Sequence, residues 1–419
     1  MSKPTTGGLW RNRDFLLLWA GQAISSIGSQ ISGFALPLLV LALTNSPAQA
    51  GLLTALQRVP YLLFSLPVGV LIDRWNRKRV MLLANALRCA VYALVPSAFL
   101  LDHLTLPLLA VVAVLSGAAY VFFDLADNSA FPRIVTPAQL PNAAALMEGT
   151  FSAADLLGPG IGGLIVGLAR TVVSGAALAY LADSISYLAS MLGLLWIRTP
   201  FQASRTGQAS VSLRTEVMAG LRFLLTHPRL RVLALLTMGI TLLTNATTLA
   251  LIVLARSTLR INPLTLGLIF ASGGLGGVLG AGLMPWLSAR ATIGWRLLGC
   301  ALLWAASAAL LALAQSPLLL VAGWAILTMM NPVYFATSYA YRVSLVDDAL
   351  QGRVNSVYRL MSQLGLALGP GLGGALLVII SARTELWLIA IGFGLCVALI
   401  GLTGLRAVGQ HPSSAEAAR

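Results

Sequence analysis

Leu157-Gly158-Pro159-Gly160-Ile161-Gly162-Gly163 returns 211 residues later as Leu368-Gly369-Pro370-Gly371-Leu372-Gly373-Gly374, with only Ile161 and Leu372 differing. Both copies lie inside long apolar runs. Glycines at this spacing let two helix backbones approach closely, while the proline frees a carbonyl and bends the helix that carries it. Six of seven positions matching in order at one offset predict a duplicated chain, with the same elements laid down twice.

Hydropathy read outward from the two copies predicts helices at about 14–42, 51–72, 79–101, 106–126, 143–169 and 172–197, then 230–256, 264–288, 295–314, 317–338, 353–380 and 384–406. The copies fall in the fifth and eleventh. The longest polar stretch, Arg198 to Arg231, separates two sets of six and contains a short amphipathic segment, Glu216 to Thr226. The predicted fold class is an all-α polytopic membrane protein: a six-helix half over 1–197, a cytoplasmic linker over 198–229, a second half over 230–406 and a cytoplasmic tail over 407–419. Composition agrees, since 58% hydrophobic residues, 10% charged residues and a mean hydropathy of +0.86 exclude a water-soluble enzyme. Parallel repeats around a midplane site are a transporter architecture, in which one half rocks against the other.

The charges orient the chain. Of 27 basic residues, twenty fall in one alternate set of loops and termini, only Arg170, Arg256, Arg260 and Arg383 fall in the other, and Arg58, Arg88 and Arg359 lie within spans. Cytoplasmic loops are the Lys/Arg-rich ones, so both termini are predicted inside. A net charge of +14 therefore reports topology and not nucleic-acid binding. Neither lysine, Lys3 or Lys78, ends a phosphate-binding GxxxxGK[ST] loop, so no nucleotide partner is expected. Cys89, Cys300 and Cys396 sit in apolar runs as packing residues, without disulfide or metal-ligand spacing. The first apolar run is too long for a cleaved signal peptide and is expected to remain as a helix.

Between the second and third helices stands Gly69-Val-Leu71-Ile-Asp73-Arg74-Trp-Asn76-Arg77-Lys78-Arg79. It places a glycine for close helix approach, an acid at the membrane edge and a tight basic loop, with Asn76 suited to a left-handed turn. This G-x-L-x-D-R-x-x-R-K pattern resembles motif A of the major facilitator superfamily, with Asn76 where glycine is usual. The repeated GP-x2-GG of Gly158, Pro159, Gly162 and Gly163, and of Gly369, Pro370, Gly373 and Gly374, resembles the antiporter motif, whose upstream glycines correspond to Ala145 and Ala154. Arg13-Asp14-Phe15, Trp19 to Gly28, Phe131-Pro132-Arg133, Asp183 to Tyr187 and Gly352-Arg353-Val354-Asn355 look like the drug:proton antiporter branch with bacterial macrolide and siderophore exporters. Helix four lacks a membrane-embedded arginine of the motif B kind, and Ser29-Gln30 stands where relatives often place an acid.

The resemblance implies a conformational gate of Gly69, Asp73, Arg74, Arg77, Lys78 and Arg353, in which Asp73 caps helix eleven and pairs with Arg353. Ionisable residues inside the membrane are functional by default. Glu148, Ser152 and Asp155 share one helical face, beside the carbonyl that Pro159 frees, and are read as proton-carrying or cation-binding, against a structural ion pair. Arg88 and Asp183 are expected to form a buried structural pair across the flanking helices three and six. Arg359 occupies the repeat position of Glu148. Arg58, with Gln57, serves either Asp155 or an anionic group of the substrate. Gln22, Ser26, Arg58, Tyr120, Asn245, Asn331, Tyr334, Arg359 and Gln363 are the expected substrate-cavity residues.

The function that follows is proton-coupled efflux of an amphipathic small molecule by a monomer in the bacterial plasma membrane. Its partners are the substrate, protons and the lipid bilayer, and no cofactor or metal is expected. An importer or lysophospholipid transporter fits the same scaffold. A prenyltransferase-like enzyme would instead use Asp124, Asp127, Asp347 and Asp348 at the cytoplasmic edge to hold Mg²⁺-diphosphate.

Overall fold

The computed structural model describes residues 8–202, 221–346 and 348–405, without the side chains of Leu66, Val70, Asp73, Asp348 and Ala349. Among these residues there is no strand. Six long helices precede the Arg198 stretch: α1 Arg13–Thr44, α2 Pro47–Arg74, α3 Arg77–Leu100, α4 Leu106–Ile134, α5 Leu140–Leu168 and α6 Val172–Trp196. Six follow it: α7 Pro228–Val253, α8 Pro263–Arg290, α9 Ile293–Leu313, α10 Pro317–Leu345, α11 Asp348–Leu376 and α12 Ala382–Leu402. Ten of them, all but α2 and α11, are long and apolar enough to cross a membrane. Of the expected amphipathic segment, 221–226 is helical and 216–220 lies outside the described residues, as do the tail from 406 and Asp347.

Local chemistry sets the ends. Asn12, Asn262, Thr292 and Ser381 each cap a helix by accepting the amide N–H three residues on, and Asn45 ends α1 in the left-handed conformation at φ 52°. Asn76 departs from the expectation of a left-handed turn. Its φ of −70° and ψ of 106° are extended, and its side chain accepts from Arg79 N at 3.0 Å to cap α3. An asparagine satisfies either role, and here the orphan amides of a new helix outweigh the turn. The two basic residues after it reach other helices. Lys78 Nζ donates to the carbonyls of Leu195 (3.1 Å) and Ile197 (2.6 Å) at the end of α6, and Arg77 Nη1 to Ser129 O (3.0 Å) within α4. Asp14 accepts from Thr199 N (2.8 Å), tying the start of α1 to the same corner.

The chain forms two compact units, Met1–Asn45 with Leu56–Ser210 (unit 1) and Ser46–Ala55 with Val211–Arg419 (unit 2). The opening turns of α2 thus cluster with unit 2 and its remainder with unit 1. Within unit 1, α1 packs on α5 and α6, and α3 on α4 and α6. Within unit 2, α7 packs on α11 and α12, and α9 on α10 and α12, the same scheme shifted by six helices.

The repeated glycines are where each scheme closes. A Cβ at Gly158 would stand 2.3 Å from Gln30 Cβ, and one at Gly162 would stand 3.2 Å from Ile31 O on α1. In unit 2 a Cβ at Gly369 would stand 2.4 Å from Leu242 O, and one at Gly373 would stand 3.3 Å from Ala246 Cβ on α7. Hydrogen lets the backbones meet at distances that any side chain forbids.

Candidate functional site: a polar cavity in unit 1

A cavity of about 310 Å³ opens inside unit 1, between α1, α2, α3, α4 and α5. That is at the small end of the range for organic ligands, roughly 300–1,000 Å³. Its walls are mixed. Tyr120, Phe123 and Phe151 supply aromatic surface, while Gln22, Gln30, Gln57, Arg58, Arg88, Asp124, Asp127, Asn128 and Asp155 supply polar groups.

Each wall follows from helical periodicity. On α5, Ala154, Gly158 and Gly162 are buried, which turns Glu148, Ser152 and Asp155 to the open side of the helix. Asp155 reaches the cavity and accepts a hydrogen bond from Gln30 Nε2 of α1. On α4, Asp124, Asp127 and Asn128 stand at i, i+3 and i+4 and line the cavity. Tyr61 OH of α2 donates to Asp124 Oδ2 (3.2 Å), and Asn128 Nδ2 to Asp124 Oδ1 (3.3 Å). Gln57 Nε2 of the same helix donates to Tyr92 OH (3.0 Å). Gln22 of α1 and Asp127 of α4 are buried, and the two side chains are each other's polar neighbours across the cavity.

α4 runs on to Ile134, past its expected end near 126, so Asp124 and Asp127 are helical and line the cavity. Asp347 and the side chain of Asp348 lie outside the described residues.

Among the described residues no salt bridge closes between Arg88 and Asp183, although the two charges act on one another through space. The Arg88 guanidinium lies over the Tyr187 ring at 4.0 Å and near Tyr120 at 5.6 Å, with Nε unpartnered. Asp183, fully buried, accepts from Ser32 Oγ (2.5 Å) and Ser186 Oγ (3.0 Å). It fits against α1 because Gly28 leaves space, a Cβ there standing 2.6 Å from Asp183 Oδ1. The cation lies on aromatic faces and the carboxylate takes two hydroxyl donors, so each has neighbours of its own.

Of the other expected residues, Gln22, Ser26, Arg58 and Tyr120 line this cavity. Asn245, Asn331, Tyr334, Arg359 and Gln363 belong to unit 2. Tyr334 is packed in the core of that unit, its ring 5.3 Å from Trp304 and its hydroxyl 3.1 Å from Thr237 Oγ1. Asn245 Nδ2 donates to Thr241 O one turn back at 2.8 Å, while Arg359 is exposed on α11. Gly69 lies in the last turns of α2 with Asp73, whose side chain is outside the described residues.

The sequence profile of the transmembrane secretion effectors, one of the major facilitator families, matches residues 7–417. The multidrug efflux pump Tap of Mycolicibacterium fortuitum is 27% identical over 370 residues, 85% of this chain and 86% of that one. Macrolide efflux protein A of Streptococcus pyogenes is 26% identical over 151 residues, 36% of this chain and 37% of that one. Among solved structures, a bacterial homologue of the human lysosomal transporter Spinster superposes with a TM-score of 0.74 at 16% identity, covering 97% of this chain and all of that one. A bacterial homologue of the iron transporter ferroportin gives 0.74 at 14% identity, covering 95% of this chain and 99% of that one. The similarity to these structures is one of fold. With two helical units built on one repeated packing scheme and a profile match from end to end, the chain belongs to the transmembrane secretion effector family of major facilitator transporters and is not an enzyme.

Proposed function

We propose that the chain is a proton-coupled exporter of amphipathic organic compounds that works by alternating access. It would use twelve spans, with both termini cytoplasmic and the halves divided at 198–229. The observation that carries this reading is the unit 1 cavity, where three carboxylates and two guanidinium groups share a small volume with aromatic walls. Aromatic faces hold an apolar body, and the charged groups orient its polar end. The efflux activity of Tap and of macrolide efflux protein A supports the direction of transport. Glu148 and Asp155, on the open face of the helix with the freed carbonyl, are the groups proposed to take up and release the proton. Arg58 lines the same cavity and balances their charge or the substrate's. The loop from Gly69 to Lys78, with Arg353, is proposed as the gate.

The test is accumulation of a panel of dyes, macrolides and catecholate siderophores in cells with and without the chain. Lower accumulation of at least one compound, restored when the proton gradient is collapsed, is the expected result. Accumulation that ignores the gradient removes proton coupling. Higher accumulation, or uptake of a lysophospholipid, reverses the direction.

A further inference from the structure

Outside the cavity, one acid has no counterpart in the mechanism above. Glu385 stands in the first turn of α12 in unit 2, is 1% exposed, and neither carboxyl oxygen has a hydrogen-bond partner among the described residues. Its seat exists because of the repeated glycine motif: a Cβ at Gly373 would stand 2.8 Å from Glu385 Oε1. Ala246 of α7 closes the same space, its Cβ 3.3 Å from that point.

The groups around Glu385 offer no charge to oppose its own. Arg383, the nearest basic residue along the chain, donates through Nη2 to Ala314 O (3.0 Å) and through Nη1 to Ala312 O (3.4 Å), at the end of α9. The α7 face toward α11 presents Ala246, and α11 presents Gly373. Thr384 is engaged with Ser381. An ionised carboxylate left without a donor or a cation in a dry site is among the most expensive groups a protein can bury, so such a site holds the neutral acid.

We propose that Glu385 is a proton-binding site of unit 2, distinct from the acids of the unit 1 cavity, and that it exchanges its proton with water when α11 loosens from the opening turns of α2. The route is short. Gly374, the next residue along α11 from Gly373, meets those turns, and a Cβ on it would stand 2.6 Å from Pro47 O and 3.0 Å from Gly51 Cα. Separation at this backbone contact admits water one residue from the carboxyl group. In the exchange the carboxylate takes a proton from water to form an O–H bond and returns it by the same path, with no other reactant. The use of this proton in a transport cycle rests on the proton-coupled reading above, but its binding does not.

Infrared spectroscopy of the full chain in lipid nanodiscs, followed with pH, reads the carbonyl stretch of a protonated carboxyl group directly. Glu385→Gln is expected to remove one such band that Asp155→Asn leaves in place, and in the wild type that band is lost as pH rises. Spectra of Glu385→Gln that keep every protonated-carboxyl band overturn the proposal. Should that variant not fold, Ala246→Ser adds a hydroxyl donor beside the carboxyl group and is expected to move the loss of the band to lower pH. An unmoved titration in Ala246→Ser counts against the site equally. Wild-type flux that ignores a pH gradient, with the band present, refutes the coupled reading and leaves the site standing.

Discussion

The two units run one packing scheme on different chemistry. α5 and α11 carry the same Leu-Gly-Pro-Gly stretch and dock on α1 and α7 through the same glycines. Yet Asp155, bonded to Gln30, stands at the repeat position of Leu366, and Glu148 at that of Arg359. Unit 1 opens a polar cavity there. Unit 2 fills its interior with Trp304, Tyr334 and Phe393, the indole N–H of Trp304 donating to Leu327 O at 2.7 Å. The backbone contacts of a duplicated scaffold survive because only glycine fits them, whereas the side chains facing away from those contacts are at liberty to differ, two acids in one half and an arginine and a leucine in the other.

The largest effect is expected from erasing this contrast. Asp155→Leu installs the residue of unit 2 and removes the proposed titrating group, so pH-driven flux into proteoliposomes should fall to near the level seen without a pH gradient. Asp155→Asn should lose flux similarly while substrate binding stays measurable, and Glu148→Gln provides the same test about two turns away on the same face. Full pH-driven flux in all three would mean that the polar half is not the coupled half.

A smaller effect compares the shared contacts. In Gly369→Ala the new methyl meets a backbone oxygen of Leu242, while in Gly158→Ala it meets the Gln30 side chain. Overpacking costs about 1–3 kcal/mol, and both cases belong at the upper end because neither a helix carbonyl nor a Cβ rotates away. Thermal unfolding should therefore show similar losses for the two variants. A much smaller loss in one unit would show that its helix pair shifts apart readily.

A third test sharpens the reading of Arg88. A double-mutant cycle between Arg88→Ala and Tyr187→Leu should return a coupling of about 0.5–2 kcal/mol, the range of a cation–π contact. The cycle between Arg88 and Asp183→Asn should return less. The reverse order would restore the ion pair suggested by their charges. The smallest change is expected for Asn76→Ala, which loses one cap at about 0.5–2 kcal/mol and should lower the melting temperature without altering substrate binding.

Most helix limits were legible because apolar runs and capping residues carry them locally: the start of α6 and the ends of α3 and α9 fall within a residue of the hydropathy reading. α4 was not. Asp124, Asp127 and Asn128 read as the polar end of a span, although their i, i+3, i+4 spacing marks one face of a helix that continues. In a chain without a cavity the two readings are the same, and only the neighbours α1 and α2 decide between them. Arg88 and Asp183 show the same limit, since opposite charges at matching depth suggest a pair, while the competing tyrosine and serines come from tertiary packing. Glu385 stands in a first turn, and the space for its side chain is created by Gly373, a residue on another helix that no local pattern around Glu385 reveals.

The basic loop after α2 also bears on the order in which the protein is made. Lys78 finds its acceptors 117 and 119 residues later, and Asp14 finds Thr199 185 residues later. At ribosomal speeds of about 5–20 residues per second, roughly 10–40 s pass between the emergence of Asp14 and of its partner. Through that interval the corner of unit 1 that joins α1, α3 and α6 has no lock. A nascent chain arrested before residue 195 holds its first helices in the bilayer with Lys78 and Asp14 unfastened, and arrest beyond residue 199 fastens them together. Release from the insertion machinery should thus come as one late step for the entire unit, with protection from protease appearing abruptly as the arrest point crosses that short stretch.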